Sequence, residues 1–368
     1  MRRKLNEAGV GATRCMVRLS VVSASVVSFW LVSGCTGTVG TSSPEPAPPM
    51  PSPDAEVRPD AALPDASLPE DAMVVQDAML PPPDAEVWPE NPFEDLPAIY
   101  TVEDGIGHVE GPTWVPEERG FVYHTRPNVH RLWRPGEDDT SRWYELPGGN
   151  HGSHYSEGFV YLANRRPAEI ARIRVSDTRY ESLDTDLDGK TLALPNDIDR
   201  FRDGSLFFTD WGGASTPGNY VGFGVYRLFL DGKVDRVLSD LGTPNGIAFT
   251  PDCRRLFVTD HPDVMAYRVA DDGTLSDEQA FFRHRDYNGS PLNGIAVDLL
   301  GNLYTVGNRK ITAVDPDGNV LGDFDVPGAD PVNLAFGGID RRMLLITTTD
   351  GVLAVQSGIP GGECHGLK

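Results

Sequence analysis

Four residues set at a near-constant interval carry oxygen atoms suited to one shared task. They are Glu110 in "GHVEGPTWVP", Asn196 in "LPNDIDRF", Asn245 in "TPNGIAF" and Asn293 in "SPLNGIAVD". Asn196 to Asn245 is 49 residues, Asn245 to Asn293 is 48, and Asn333 in "DPVNLAFGG" follows after 40. One carboxylate with three amide carbonyls is a hard-oxygen set of the kind that holds Ca²⁺ or, after it, Mg²⁺ or Mn²⁺. The histidines show no zinc-ligand spacing. Taken alone, each asparagine reads as a turn former, and Asn-Gly suits a turn that needs positive φ. Their common register is what points to a site.

Side chains so far apart in sequence meet only if the chain returns to the same place at each interval. From Ile99 onward short apolar runs such as "GFVYHTR", "GSLFFTDW", "RRLFVTDH" and "GNLYTVGN" alternate with Gly, Pro, Asn and Asp, and no amphipathic stretch is long enough for a major helix. A period in the forties that holds about four strands is the mark of a propeller blade. Residues 99–360 then give six blades, whose innermost strands line a central channel. The expected fold is all-β, a six-bladed β-propeller over residues 96–360, with Glu110, Asn196, Asn245 and Asn293 converging as a metal site at the channel mouth.

The segments Glu110-Gly111-Pro112-x-Trp114, "LPNDIDRFRDGSLFFTD", "TPNGIAFTPDCRRLFVTD", "PLNGIAVDLLGNLYTV" and "NLAFGGIDRRMLLITTTDGVLAV" resemble the regucalcin/gluconolactonase (senescence-marker-protein-like) family of six-bladed propellers, over nearly all of 99–356. That family is related in fold to the diisopropyl-fluorophosphatase-like hydrolases. The resemblance implies a catalytic divalent metal, usually calcium or zinc, held by the residues that match here as Glu110, Asn245 and position 293, with Asn196 as ligand or substrate contact. It implies hydrolysis of a small lactone or related ester at that metal.

Position 293 departs from the pattern, because the family has an aspartate there that binds metal and serves as base or nucleophile. Asn293 keeps a coordinating oxygen but has no charge and cannot take a proton. Catalysis then needs a substitute, and His151 and His154 in "GGNHGSHYSEG" are expected over the mouth, with His108 and His261 as further imidazoles. The candidate catalytic residues are Glu110, Asn293, His151 and His154. Asp210, Asp260 and Asp298 read as turn or blade-closing residues, Trp114 as packing between blades, and Asp197 as a residue that orients Asn196. Arg165 and Arg166 in "NRRP" read either as a solvated turn or as a contact for an acidic substrate. Two functions follow: a metal-dependent lactonase, or a propeller that binds a ligand or protein with weak or lost chemistry.

The start of the chain reads differently. A basic segment and a short apolar, serine-rich run end in Leu31-Val32-Ser33-Gly34-Cys35, which resembles a lipoprotein signal (residues 1–34) with lipidation at Cys35. Residues 36–95 hold 14 prolines and 13 acids against one arginine, so residues 35–95 are expected to be the lipidated cysteine and a disordered, self-repelling linker. Residues 361–368 are a tail. The whole carries a net charge of −22 with no basic stripe, which argues against nucleic-acid binding. Cys253 and Cys364 are either one disulfide or two separate thiols. The expectation is a monomer anchored by lipid in a bacterial envelope, with Thr36 after the cysteine pointing to the outer membrane, and with a small-molecule substrate.

Overall fold

The computed structural model describes residues 88–94, 99–146, 148–183, 189–212, 220–284 and 292–364. The signal segment, Cys35 and the linker as far as residue 87 lie outside the described residues. No helix among the described residues is long and apolar enough to cross a membrane.

The described residues form 24 strands in six four-stranded antiparallel sheets. Strand β1 (Tyr100–Asp104) belongs to the last sheet. Blade 1 is β2 (Val109–Val115), β3 (Gly120–Thr125), β4 (Val129–Trp133) and β5 (Ser141–Glu145). Blade 2 is β6 (Asn150–Ser156), β7 (Phe159–Arg165), β8 (Ala168–Arg174) and β9 (Tyr180–Leu183), and blade 3 is β10 (Pro195–Arg200), β11 (Leu206–Asp210), β12 (Gly224–Leu228) and β13 (Val234–Leu238). Blade 4 is β14 (Pro244–Phe249), β15 (Arg255–Asp260), β16 (Asp263–Val269) and β17 (Leu275–Phe282). Blade 5 is β18 (Ile295–Val297), β19 (Leu303–Gly307), β20 (Lys310–Val314) and β21 (Val320–Asp325). In blade 6, β22 (Pro331–Gly337), β23 (Met343–Thr348) and β24 (Gly351–Gln356) take β1 as the outer strand, which joins the two ends of the domain.

The apolar core is divided among the junctions between blades. Six buried clusters occur, one per junction: Phe201, Phe207, Phe249 and Val258 between blades 3 and 4, for example, and Val109, Phe121, Leu345 and Val352 between blades 6 and 1. Because both faces of each blade meet a neighbour, middle strands such as β11 (LFFTD) and β19 (LYTVG) are buried along their whole length rather than at alternate residues. Trp114 packs edge-on against Phe121, ring centroids 5.0 Å apart, in the junction where the sequence placed it.

The Asn-Gly pairs are not turns. Pro244-Asn245-Gly246 lies inside β14, and the matching pair Asn293-Gly294 stands just ahead of β18. Neither Gly246 nor Gly294 has positive φ. Each instead lets the next blade's inner strand pass close by: a Cβ on Gly246 would lie 2.6 Å from the Asn293 carbonyl, and one on Gly294 would overlap Asn333. Glycine serves here as the residue without a side chain, not as the residue of left-handed backbone.

Two further segments differ from the expected boundaries. Residues 88–94, assigned by composition to the linker, are packed on the domain: Phe93 lies 5.7 Å from both Tyr304 and Phe324, and Gly358 N–H donates to the Pro92 carbonyl. Trp88, Pro92 and Phe93 supply the apolar surface that the Ala-Asp-Pro repeats before them lack. The tail is pinned as far as Cys364, through a Cys253–Cys364 disulfide, a bridge between Asp298 and Gly361, and an Arg341–Glu363 ion pair. These partners sit in the turns that follow the inner strands of blades 4, 5 and 6, so the tail crosses the end of the channel opposite the mouth.

Candidate functional site

At the mouth, Glu110 is the second residue of β2 and is buried. Its Oε1 accepts from His108 Nε2 at 2.8 Å and from His151 Nδ1 at 3.1 Å. Burial opposes ionisation, yet the hydrogen bonds from the two imidazoles outweigh it and take the carboxyl pKa to about 2. Burial lowers the pKa of His151, against the pull of Glu110, so the ring is neutral at pH 7. A neutral ring that donates Nδ1–H to an ionised carboxylate keeps Nε2 as its basic nitrogen.

Asn196 and Asn245 each occupy the second position of an inner strand, and Asn293 stands two residues before β18. Their height is set by threonines of the neighbouring strands. Thr209 Oγ1 accepts the Asp197 N–H at 3.0 Å and donates to the Asn245 carbonyl at 2.6 Å, so it ties blade 3 to blade 4. Thr259 repeats the device, accepting from Gly246 N–H at 2.6 Å and donating to the Asn293 carbonyl at 3.0 Å. The "FFTD" and "FVTD" repeats carried this signal, which sequence reasoning read only as strands. The aspartates beside them close turns as expected: Asp210 accepts the backbone N–H groups of Ala193 and Leu194, and Asp260 those of Gly242 and Thr243. Asp298 likewise holds its own turn through Leu300 and Asn302.

The asparagine side chains are not alike. Asn245 Nδ2 donates to Asn293 Oδ1 at 3.0 Å, which turns the Asn245 carbonyl oxygen the other way. That oxygen, Glu110 Oε2 and the buried amide of Asn196 have no hydrogen-bond partner among the described residues. Left without protein partners at the channel entrance, these atoms are open to a ligand or water, and oxygen donors of this kind fit a hard divalent cation. Asn293 Oδ1, by contrast, is occupied by its neighbour. Among the described residues no group of three or more His, Cys, Asp or Glu side chains could hold a metal, so any site here depends on the amides.

His154 does not join this group. It lies three residues beyond His151 on β6, about 10 Å further along a strand, and its Nδ1 pairs with Asp199 Oδ1 at 3.1 Å. The expectation that it overhangs the mouth is therefore corrected: inner strands run down the channel, so consecutive site candidates on one strand are carried away from the entrance. His154 lines a cavity of about 110 Å³ with Asp197, Asp199, Asn333, Arg341 and Glu363, toward the end that the tail crosses. Burial opposes the charge on this ring, but the Asp199 contact prevails and raises its pKa. Asp197 stands between the two ends, and burial keeps its carboxyl pKa well above the usual range, with its Oδ1 taking the Ile198 N–H at 3.0 Å. It faces the channel rather than orienting Asn196.

Sequence reasoning passed over a row of buried polar residues behind Glu110. Glu110, His124 and His130 are successive partners across β2, β3 and β4, and Asn150 Nδ2 lies 3.3 Å from His130 Nε2. Both nitrogens of His124 and the Asn150 oxygen lack partners among the described residues, and burial lowers the His124 pKa to about 4. Histidines within otherwise apolar strand runs, as in "GFVYHT", were the available signal.

The chain matches the model of the SMP-30/Gluconolactonase/LRE-like region over residues 108–350. It is 26% identical over 292 residues to a gluconolactonase of Zymomonas mobilis, covering 70% of this chain and 81% of that one. It is 30% identical over 260 residues to a pentonolactonase of Haloferax volcanii, covering 66% and 81%. The solved structure of a gluconolactonase from Xanthomonas campestris superposes with a TM-score of 0.63 at 26% identity, covering 70% of this chain and 89% of that one. With its six blades and its matched segments, the chain belongs to the SMP-30/gluconolactonase/LRE-like family.

Proposed function

We propose that the protein is a lactonase-type hydrolase that opens a small lactone or related ester at the channel mouth. The observation that carries this reading is the state of Glu110: buried, ionised, with one oxygen shared by two imidazoles and the other without a partner among the described residues. Relatives named as gluconolactonase and pentonolactonase support the reaction class. In this reading Glu110, Asn196 and Asn245 are the oxygen donors for a divalent cation, with calcium the first choice for so hard a set and zinc, magnesium or manganese the others. Such a cation supplies positive charge that polarises an ester carbonyl. Asn293 takes a positioning role, holding the Asn245 amide with its oxygen toward the site.

The proton is handled by His151. Glu110 fixes its tautomer by accepting Nδ1–H, which leaves Nε2 free to take a proton from the attacking water and return it to the leaving oxygen. His154 plays no part in this step, because it is committed to Asp199 deeper in the channel. A lactone panel assayed with and without Ca²⁺, on the parent chain and on Glu110→Gln, tests the reading. Cation-dependent turnover that the substitution abolishes supports it. Absence of turnover with any divalent ion in a folded protein favours the second reading, a propeller that binds a ligand or protein, which Asn293 in place of an acid motivates. We further infer that the domain is carried in the bacterial envelope, through a lipid at Cys35, and probing for acylation lost in Cys35→Ala tests that part.

A further inference from the structure

Beside Glu110 the mouth carries cations that have no ion pair or side-chain hydrogen bond among the described residues. Arg165 ends β7, where its N–H donates to the Gly149 carbonyl at 2.8 Å, and its guanidinium lies over the Trp211 indole, 5.3 Å from the ring centroid. Its Nε is buried and makes no hydrogen bond among the described residues. Arg126 and Arg166 occupy equivalent places in neighbouring blades, each in the turn joining the second and third strands; Thr125 paired with Val129 and Arg165 paired with Ala168 close those turns. Among the described residues, none of the three arginines finds an ion pair or a side-chain hydrogen bond. Arg131, Arg172 and Arg227, by contrast, each hold a carboxylate.

Arg165 feels the other two. Burial lowers the Arg165 pKa, Glu110 pulls against it, and Arg126 and Arg166 add to the depression, with Asp210 opposing them. A buried Arg165 Nε left unused, with the exposed Arg126 and Arg166 in the adjoining turns, leaves a gap that a further negative group would fill. Trp211 is 39% exposed and lies against the guanidinium, a group whose donors suit a carboxylate, sulfonate or phosphate.

We propose that Arg165, stacked on Trp211 and flanked by Arg126 and Arg166, binds an anionic group of the substrate, so that the lactone used here carries a second, negatively charged group outside its ring ester. The part that concerns a lactone rests on the hydrolase reading above; the anion site does not. Arg165 is then a specificity residue, and a neutral sugar lactone is the poorer substrate.

The test has a binding arm and a kinetic arm, both on the full chain at low ionic strength. Tryptophan fluorescence is titrated with D-glucarate and with the neutral polyol D-glucitol, for the parent, for Arg165→Gln and for Arg254→Gln, whose arginine lies in a turn at the other end of the channel. The expected result is glucarate binding at least tenfold tighter than glucitol, weakened at least tenfold by Arg165→Gln and unchanged by Arg254→Gln. In the kinetic arm the ratio of kcat/KM for a glucaric acid lactone over gluconolactone falls at least tenfold in Arg165→Gln. Equal affinity for the two probes, or glucarate affinity indifferent to Arg165, overturns the anion site. Arg165-dependent glucarate binding without hydrolysis of either lactone upholds the anion site and removes the hydrolase reading, while hydrolysis with an unaltered ratio does the reverse.

Discussion

Asn245 donates its side-chain N–H to the side-chain oxygen of Asn293 at 3.0 Å, across 48 residues of sequence and from one blade to the next. The contact divides the labour between two amides that look equivalent in sequence. One presents its oxygen to the mouth, and the other is occupied in making it do so. A carboxylate at position 293 would accept the same hydrogen bond and add a charge.

Asn293→Asp is accordingly expected to tighten divalent-cation binding at least tenfold, since a full negative charge joins Glu110 in a partly dry site. Asn293→Ala should weaken it by a similar factor, because the Asn245 amide is then free to turn. Calorimetric titration with Ca²⁺ reads both, and equal affinity in all three proteins would contradict the positioning role.

The two histidines of "NHGSHY" should separate cleanly. His151→Gln is expected to lower kcat by about 100-fold or more, the usual weight of a general base, with the fold intact. His154→Gln should act on stability instead. Its folded pKa is raised, so the pairing with Asp199 contributes below the ordinary imidazole value and is lost as pH rises through the folded one. Thermal melts at pH 6 and pH 8, beside initial rates, distinguish them; a large rate loss in His154→Gln would contradict the assignment.

Other buried histidines act with the opposite sign. Burial lowers His124 and His284 to about 4. Below an ordinary value of about 6.5 the unfolded chain takes up protons that the folded chain refuses, so stability falls as pH drops from there toward 4. Each contributes a loss of about 3 kcal/mol by pH 4. Urea unfolding at pH 7, 6 and 5 should show this decline, and His284→Gln should make it shallower; a parent whose stability is flat over that range would refute the burial argument.

The tail offers a check that is independent of the chemistry. The Cys253–Cys364 disulfide spans 111 residues and ties the end of the chain to blade 4. Replacing both cysteines with serine should reduce stability by about 2–5 kcal/mol. An unchanged denaturation midpoint would mean that the tail's hydrogen bonds and the Arg341–Glu363 pair already hold it.

Much of this was legible because a propeller writes its architecture as a period. The recurrence of Asn196, Asn245 and Asn293 located three inner strands and, with Glu110, the end of the channel they share. What the period does not encode is direction and depth. His151 and His154 are near neighbours in sequence but fall at different depths, because an inner strand advances along the channel axis. Asn245 and Asn293 carry the same motif but different duties, because a side-chain hydrogen bond between blades has no one-dimensional signature. Arg165 was visible only as half of an Arg-Arg pair; its importance comes from Trp211, 46 residues later, and from partners it lacks among the described residues.

The proposed chemistry turns on Glu110 organising a cation-dependent ester hydrolysis at the mouth. Initial rates of lactone opening, followed by proton release at fixed pH across a Ca²⁺ titration, test it most directly when run on the parent chain and on Glu110→Gln. The expected result is saturable dependence on the cation in the parent and a loss of at least about 100-fold in the variant. Turnover that is indifferent to the cation, or that survives Glu110→Gln, would contradict it.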